Sequence, residues 1–135
     1  MATIQDIVTG ALRKIVLHGN ETPSADDSSF ALDELNDMMK AFNGQQVFIN
    51  WETMTLTGTF PLEEKHEAGV KAMLAVRISP AFGGDALITR ELAKQADDGY
   101  SMIWGDYHRP DDLAVDEGLT SMPGRWYSGV DNVNV

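Results

Sequence analysis

Five pairs of neighbouring carboxylates are the side chains of this sequence best suited to hydrolytic chemistry. A glycoside hydrolase needs two acids about 5–10 Å apart across a sugar-sized cleft. Most of these pairs lie at predicted helix starts or in loops, and nothing in the sequence raises the pKa of one carboxylate above that of its neighbour. We therefore predict that the chain is not an enzyme, and a peptidoglycan-degrading glycosidase is the alternative. The pairs are Asp26-Asp27, Glu63-Glu64, Asp97-Asp98, Asp111-Asp112 and Asp116-Glu117.

The histidines and the lack of cysteine limit metal chemistry. His18, His66 and His108 occupy different segments, and no pair has the four-residue spacing of a helical zinc site. His66 precedes Val70 by one helical turn, which favours a packing role at a helix edge over a ligand role. The sequence contains no cysteine, which excludes thiolate metal sites, disulfides and a cysteine nucleophile. We predict no metal and no cofactor.

Length and charge narrow the class of function. A chain of 135 residues is enough for one domain with one core. Its formal net charge of −11, from 21 acidic and 10 basic residues, argues against tight nucleic-acid binding, which needs clustered Lys and Arg. Neither a membrane-length apolar run nor a signal peptide is visible, so we expect synthesis and folding in the cytoplasm.

Two amphipathic helices are predicted in the first third of the chain. Thr3-Ile4-Gln5-Asp6 has the pattern of a capping box, and apolar residues then recur every three or four positions until Gly19. A second helix is predicted to follow the cap in Pro23-Ser24-Ala25 and to continue to Gly44, with acidic residues at the positive end of its dipole. Its apolar face comprises Phe30, Leu35, Met38, Met39 and Phe42.

Residues 45–61 interrupt the helical period. β-forming and polar residues interleave there, among them Phe48 and Trp51, which predicts a short β-hairpin or an extended arm. A third helix is predicted from about Leu62 to Ser79, ending at Pro80. One of its faces consists of small residues that would let another helix approach closely. These residues are Ala68, Ala72, Ala75 and Ser79.

A fourth helix is predicted to be capped by Asp85 and to continue to Tyr107. Gly99 lies on its apolar stripe, and since glycine inside a helix costs about 1 kcal/mol relative to alanine, we expect a close helix contact there. After Arg109-Pro110 the periodicity ends. The predicted fold is mainly α: a four-helix bundle over residues 1–108, with the hairpin or arm at 45–61, and an extended C-terminal arm over 109–135.

Several of these segments, in this order, resemble the head-completion adaptors of tailed bacteriophages, and above all the packaged-DNA stabilisation and tail accessory proteins of short-tailed phages. The first two helices, with Ala11-Leu12-Arg13-Lys14-Ile15 and the segment 31–39, carry part of the likeness. The corner Leu74-Ala75-Val76-Arg77-Ile78-Ser79-Pro80-Ala81-Phe82-Gly83 matches the family's spacing of leucine, alanine, arginine, proline and glycine. Met122-Pro123 followed by Arg125 adds to it. The stretch 45–61 and the length of the tail depart from the family.

The resemblance implies a structural virion protein that binds the portal ring after DNA packaging and provides the platform for the tail. Its expected partners are the portal protein, tail nozzle or tail tube proteins, and copies of itself in a ring, usually of twelve. DNA would pass through the ring without specific binding. A helical regulator that binds protein partners is a third possibility.

The residues expected to contact partners lie in the arm at 45–61 and in the C-terminal arm. Aromatic and arginine side chains are favoured interface anchors. The alternating valines at the C-terminus could add to the edge of a neighbour's sheet. The predicted partner-binding residues are Phe48, Trp51, Arg125, Trp126, Tyr127, Val130, Val133 and Val135.

Overall fold

The structure is a computed structural model, and it describes residues 2–18 and 21–109. These ranges are mainly helical, as predicted, and contain four α-helices joined by irregular segments and short 3-10 turns. In this part of the chain no helix has the length and apolar character needed to span a membrane. The α-helices are α1 (Ile4–Ile15), α2 (Ala25–Ala41), α3 (Glu67–Phe82) and α4 (Arg90–Tyr107).

Helices α1 and α2 begin where the capping patterns predict. The Thr3 hydroxyl accepts from the Asp6 N–H at 3.2 Å, and the Asp6 carboxylate accepts from the Thr3 N–H at 3.0 Å, which confirms the capping box. The Ser24 hydroxyl accepts from the Asp27 N–H at 3.1 Å. Both helices end earlier than predicted, α1 at Ile15 and α2 at Ala41, where a 3-10 turn (Phe42–Gln45) takes over.

The segment between α2 and α3 forms no strand in the described residues, so the hairpin prediction is corrected to an irregular, packed connection. Its carbonyls at Gly58 and Leu56 accept from the N–H groups of Ile4 and Gln5, at 2.8 and 2.9 Å. These are first-turn amides of α1, which have no partner within their own helix. The segment also buries five apolar side chains among the helices: Val47, Ile49, Trp51, Phe60 and Leu62.

Helix α3 starts later and ends later than predicted, because Pro80 lies inside it. A proline has no N–H, so the carbonyl of Val76, four residues earlier, loses its usual helical partner. The hydroxyl of the fully buried Ser79 donates to that carbonyl at 2.9 Å. This bond satisfies the carbonyl, and the helix continues to Phe82 before Gly83, at φ 148°, ends it.

Helix α4 is capped by Thr89 rather than by Asp85. The Thr89 hydroxyl accepts from the Leu92 N–H at 3.0 Å, while residues 84–87 form a separate 3-10 turn. Asp85 is therefore four residues too early to cap the helix. A cap needs a side-chain oxygen directly before the first helical turn, and Thr89 meets this condition in the sequence Thr89-Arg90-Glu91.

Helix α3 packs against each of the other three α-helices, most extensively against α4. At the α3–α4 crossing Gly69 faces Gly99: a Cβ built on Gly99 would lie 2.5 Å from the Gly69 Cα. The close contact predicted for Gly99 is therefore confirmed. The buried face of α4 consists of Leu92, Gly99 and Ile103.

Candidate functional site

The C-terminal end of α4 is attached to the connection that follows α2. The Phe48 N–H donates to the Tyr107 carbonyl at 3.2 Å, and the Arg109 N–H donates to the Gln46 carbonyl at 2.9 Å. Between these bonds Val47 and His108 form an isolated antiparallel bridge. The point where residues 110–135 leave the helical body is thus fixed beside Phe48, which is 47% exposed.

An aromatic row lies next to this exit, formed by Phe42, Tyr100, Trp104 and His108. The Phe42 and Tyr100 rings stack with centroids 5.5 Å apart, and Trp104 and His108 stack at 4.0 Å. The Trp104 indole donates to the Tyr100 hydroxyl at 2.9 Å, and that hydroxyl donates to Gln45 Oε1 at 2.7 Å. Tyr100 remains 38% exposed, so the row presents an ordered, amphipathic surface of the kind that binds protein partners.

On α3 and α4, a second cluster joins the start of α3 to the end of α4. Asp106 Oδ2 lies 2.9 Å from Nε2 of the buried His66 and 2.8 Å from the Lys65 ammonium. Glu63 lies 3.9 Å from the same ammonium. The hydrogen bond from Lys65 holds the pKa of Asp106 below its ordinary value, and the same contact raises the pKa of Lys65. The cluster holds the end of α4, and with it the exit of the C-terminal segment, against α3.

In the described part of the chain, Glu63, His66 and Asp106 form the group that could hold a metal ion, with ligand atoms within 4.8 Å of one another. A histidine that binds a metal through Nε2 normally donates its Nδ1–H to an acceptor. His66 Nδ1 is buried and has no hydrogen-bond partner. An Nε2–H that donates to Asp106 avoids an unsatisfied buried donor at Nδ1. We therefore interpret the cluster as an electrostatic latch between two helices.

The predicted site residues are placed in three different environments. Phe48 lies on the surface beside the exit of the C-terminal segment. Trp51 is only 4% exposed, and its indole donates to Asn36 Oδ1 at 2.9 Å, so we assign it to the core rather than to a partner surface. The remaining predicted residues lie outside the described residues: Arg125, Trp126, Tyr127, Val130, Val133 and Val135.

The carboxylate pairs of the sequence do not converge on one cleft within the described ranges. Asp26-Asp27 lies in the first turn of α2, Asp97-Asp98 lies on α4, and Glu63-Glu64 precedes α3. Lys94 donates to Asp98 at 2.9 Å, a surface pair within one helix. The pairs Asp111-Asp112 and Asp116-Glu117 lie outside the described residues.

The sequence carries a signal for the aromatic row, although none of the predicted site residues belongs to it. Tyr100, Trp104 and His108 are spaced by four residues, so they share one face of α4. Their contact with Phe42 depends on the tertiary packing of α2 against α4 and could not be predicted from spacing. The same holds for Asp106, whose position at the end of α4 identifies no partner.

No protein-family model matches the chain, and a search of curated proteins found no match either. The resemblance to phage adaptors therefore stays a prediction from the sequence. The geometry available to support a function is the aromatic row, the fixed exit of residues 110–135 and the latch that holds it.

The latch is expected to make stability depend on acidic pH through Asp106. A carboxylate whose pKa is lowered by folding contributes stability above its unfolded value, and this contribution is lost as the pH falls through the folded value. The ordinary value is 3.8. We expect the melting temperature of the wild-type chain to fall more steeply below about pH 4 than that of Asp106→Asn, measured by circular dichroism.

The control for this experiment is Asp33→Asn, since Asp33 is an exposed residue on α2. This variant should follow the wild-type pH profile. Equal profiles for wild type and Asp106→Asn would show that the latch does not stabilise the fold.

Proposed function

We propose that this chain is a structural assembly protein, the head-to-tail adaptor of a tailed bacteriophage. It binds the portal ring after DNA packaging, helps to retain the genome and offers the platform for tail attachment. Its place is the head–tail interface of the virion, after synthesis in the host cytoplasm. The observation that carries the proposal is the fixed exit of the C-terminal segment beside an ordered, partly exposed aromatic row.

The division of labour follows from this exit. The helical body, residues 1–108, supplies a rigid platform, and residues 109–135 act as a docking arm. Fully extended, an arm of this length reaches about 90 Å, further than the width of the subunit that carries it. Such an arm can contact the portal protein, a tail nozzle or tail tube protein and a neighbouring copy in a ring of twelve. Its proposed anchors are Arg125, Trp126 and Tyr127, with Phe48 beside its origin.

The charge of the body fits a ring through which DNA passes. Asp26, Asp33 and Asp37 are exposed and lie at spacings of seven and four residues, on one face of α2. A lumen lined by such a face would repel phosphates and let the genome pass without adhering. An arrangement in which this face of α2 points outward from the ring would contradict this part of the proposal.

Binding to a portal ring is the direct test of the proposal. The purified full-length chain and a variant that lacks Gly118–Val135 are each mixed with the portal ring of the same phage and examined by electron microscopy. We expect a second ring of density below the portal for the full chain and none for the truncated one. The truncated chain should keep its helical circular dichroism and a cooperative thermal transition.

Two results would overturn parts of this picture. Loss of the helical signal on truncation would show that residues 118–135 belong to the core of the body. Hydrolysis of purified cell wall, abolished by neutralising one carboxylate, would favour the glycosidase alternative over an adaptor.

A further inference from the structure

A groove between α2, α3 and α4 opens beside the exit of the C-terminal segment. Its volume is about 220 Å³. Two methionines and two aromatic rings form its walls, and two long polar side chains lie among its lining residues. We name it the methionine groove, lined by Met38, Phe42, Gln45, Met73, Arg77 and Tyr100.

The described chain ends at the rim of this groove. Arg109 donates its backbone N–H to the Gln46 carbonyl at 2.9 Å. The preceding residue, Gln45, lines the groove and accepts the Tyr100 hydroxyl through Oε1 at 2.7 Å. The 26 residues that follow Arg109 therefore start one residue away from an apolar groove.

We propose that the methionine groove is the binding site for the side chain of Trp126 of the same chain. A tryptophan fits the chemistry of the lining better than any other side chain of the segment. Thioether sulfurs make favourable contacts with aromatic rings, and a guanidinium such as that of Arg77 stacks on an indole. A buried indole also needs an acceptor for its N–H, and the second lone pair of Gln45 Oε1 lies at the rim.

Chain length favours the segment's own groove over that of a second copy. Residues 110–125 connect the exit to Trp126, and such a connection can span up to about 50 Å, more than a return to the adjacent rim needs. A tethered group of this kind has an effective concentration in the millimolar range. At the micromolar concentrations of a dilute solution, the groove of the same chain therefore wins over that of another molecule.

The consequence is a covered anchor. In the free subunit, Trp126 is held in the groove and is withheld from other surfaces, and a partner that binds the segment more tightly shifts it outward. This regulatory consequence rests on the proposed adaptor function. The occupancy of the groove does not, and it is tested on the isolated chain without a portal.

The test uses the methionine methyl groups of the full-length chain as probes in ¹³C NMR spectra. Removing an indole ring from the groove by Trp126→Ala changes the ring-current field at Met38 and Met73. We expect both methyl resonances to move by more than a line width. Met54 and Met102, which do not line the groove, should stay in place. The matched control is Tyr127→Ala, which should leave Met38 and Met73 unchanged.

Three outcomes would overturn the proposal. Unchanged Met38 and Met73 resonances in Trp126→Ala would show that the groove does not hold the indole. A response to Tyr127→Ala in place of Trp126→Ala would show that the groove holds the other aromatic residue. A wild-type spectrum that approaches that of Trp126→Ala on dilution, together with a falling sedimentation mass, would place the indole in a second copy.

Discussion

Replacing Gly99 by alanine is expected to lower the free energy of unfolding by roughly 2–3 kcal/mol. A Cβ at this position would lie 2.5 Å from the Gly69 Cα and 2.9 Å from the Gly69 carbonyl carbon. These atoms belong to the backbone of α3, so no side-chain rotation can relieve the clash and the two helices must separate. Since α3 and α4 share the most extensive contact of the bundle, the loss should appear in urea unfolding followed by circular dichroism.

Gly105 provides the matched control on the same helix. Nothing lies within 4 Å of a Cβ built there, and the residue is exposed. Gly105→Ala should raise stability by about 0.5–1 kcal/mol, because alanine is the better helix former. An unchanged stability of Gly99→Ala beside a stabilised Gly105→Ala would mean that the helices are further apart than the structure shows.

The helices could be predicted from the sequence because local signals determine them. The capping box at Thr3 and the cap at Ser24 each place a side-chain oxygen three residues before the amide that it accepts. The glycine contact was also predictable, since Gly99 lies on an apolar stripe where only a close neighbour explains it. In both cases the relevant partner, or the need for one, is visible within a few residues of sequence.

The remaining features depend on partners distant in sequence. Pro80 predicts a helix end on local grounds, and only the Ser79 hydroxyl bond to the Val76 carbonyl shows why the helix continues. The alternating pattern of residues 45–61 resembles a strand, but its buried side chains pack on helices and its backbone carbonyls serve α1. The latch at Asp106 and the exit beside Phe48 arise only once α3 and α4 are aligned.

These distant contacts determine where a partner could bind. The connection after α2 meets the end of α4 only because its buried residues hold it against the helices. If that connection were displaced, the bridge between Val47 and His108 would lose its support, and the exit of the C-terminal segment would no longer be fixed. The side chain that attaches the middle of this connection to α2 should therefore be important for both stability and docking.

That side chain is Asn36, a buried polar residue on α2 that belongs to no recognisable sequence motif. Its Oδ1 accepts from the Trp51 indole at 2.9 Å and from the Met54 N–H at 3.0 Å. Its Nδ2 donates to the Met54 carbonyl at 3.2 Å. Asn36 is 7% exposed and Trp51 is 4% exposed, so water cannot easily replace these bonds.

Asn36→Ala is expected to lower the free energy of unfolding by about 3 kcal/mol, because the Trp51 indole and the Met54 amide both lose their acceptor in a buried place. Asn43→Ala, at an exposed position of the following 3-10 turn, should change it by less than about 0.5 kcal/mol. In the Trp51→Phe background one of the two donors is already gone, so the cost of Asn36→Ala should shrink. Strictly additive effects in this cycle would show that the indole bond contributes nothing, and that the connection is held by apolar burial alone.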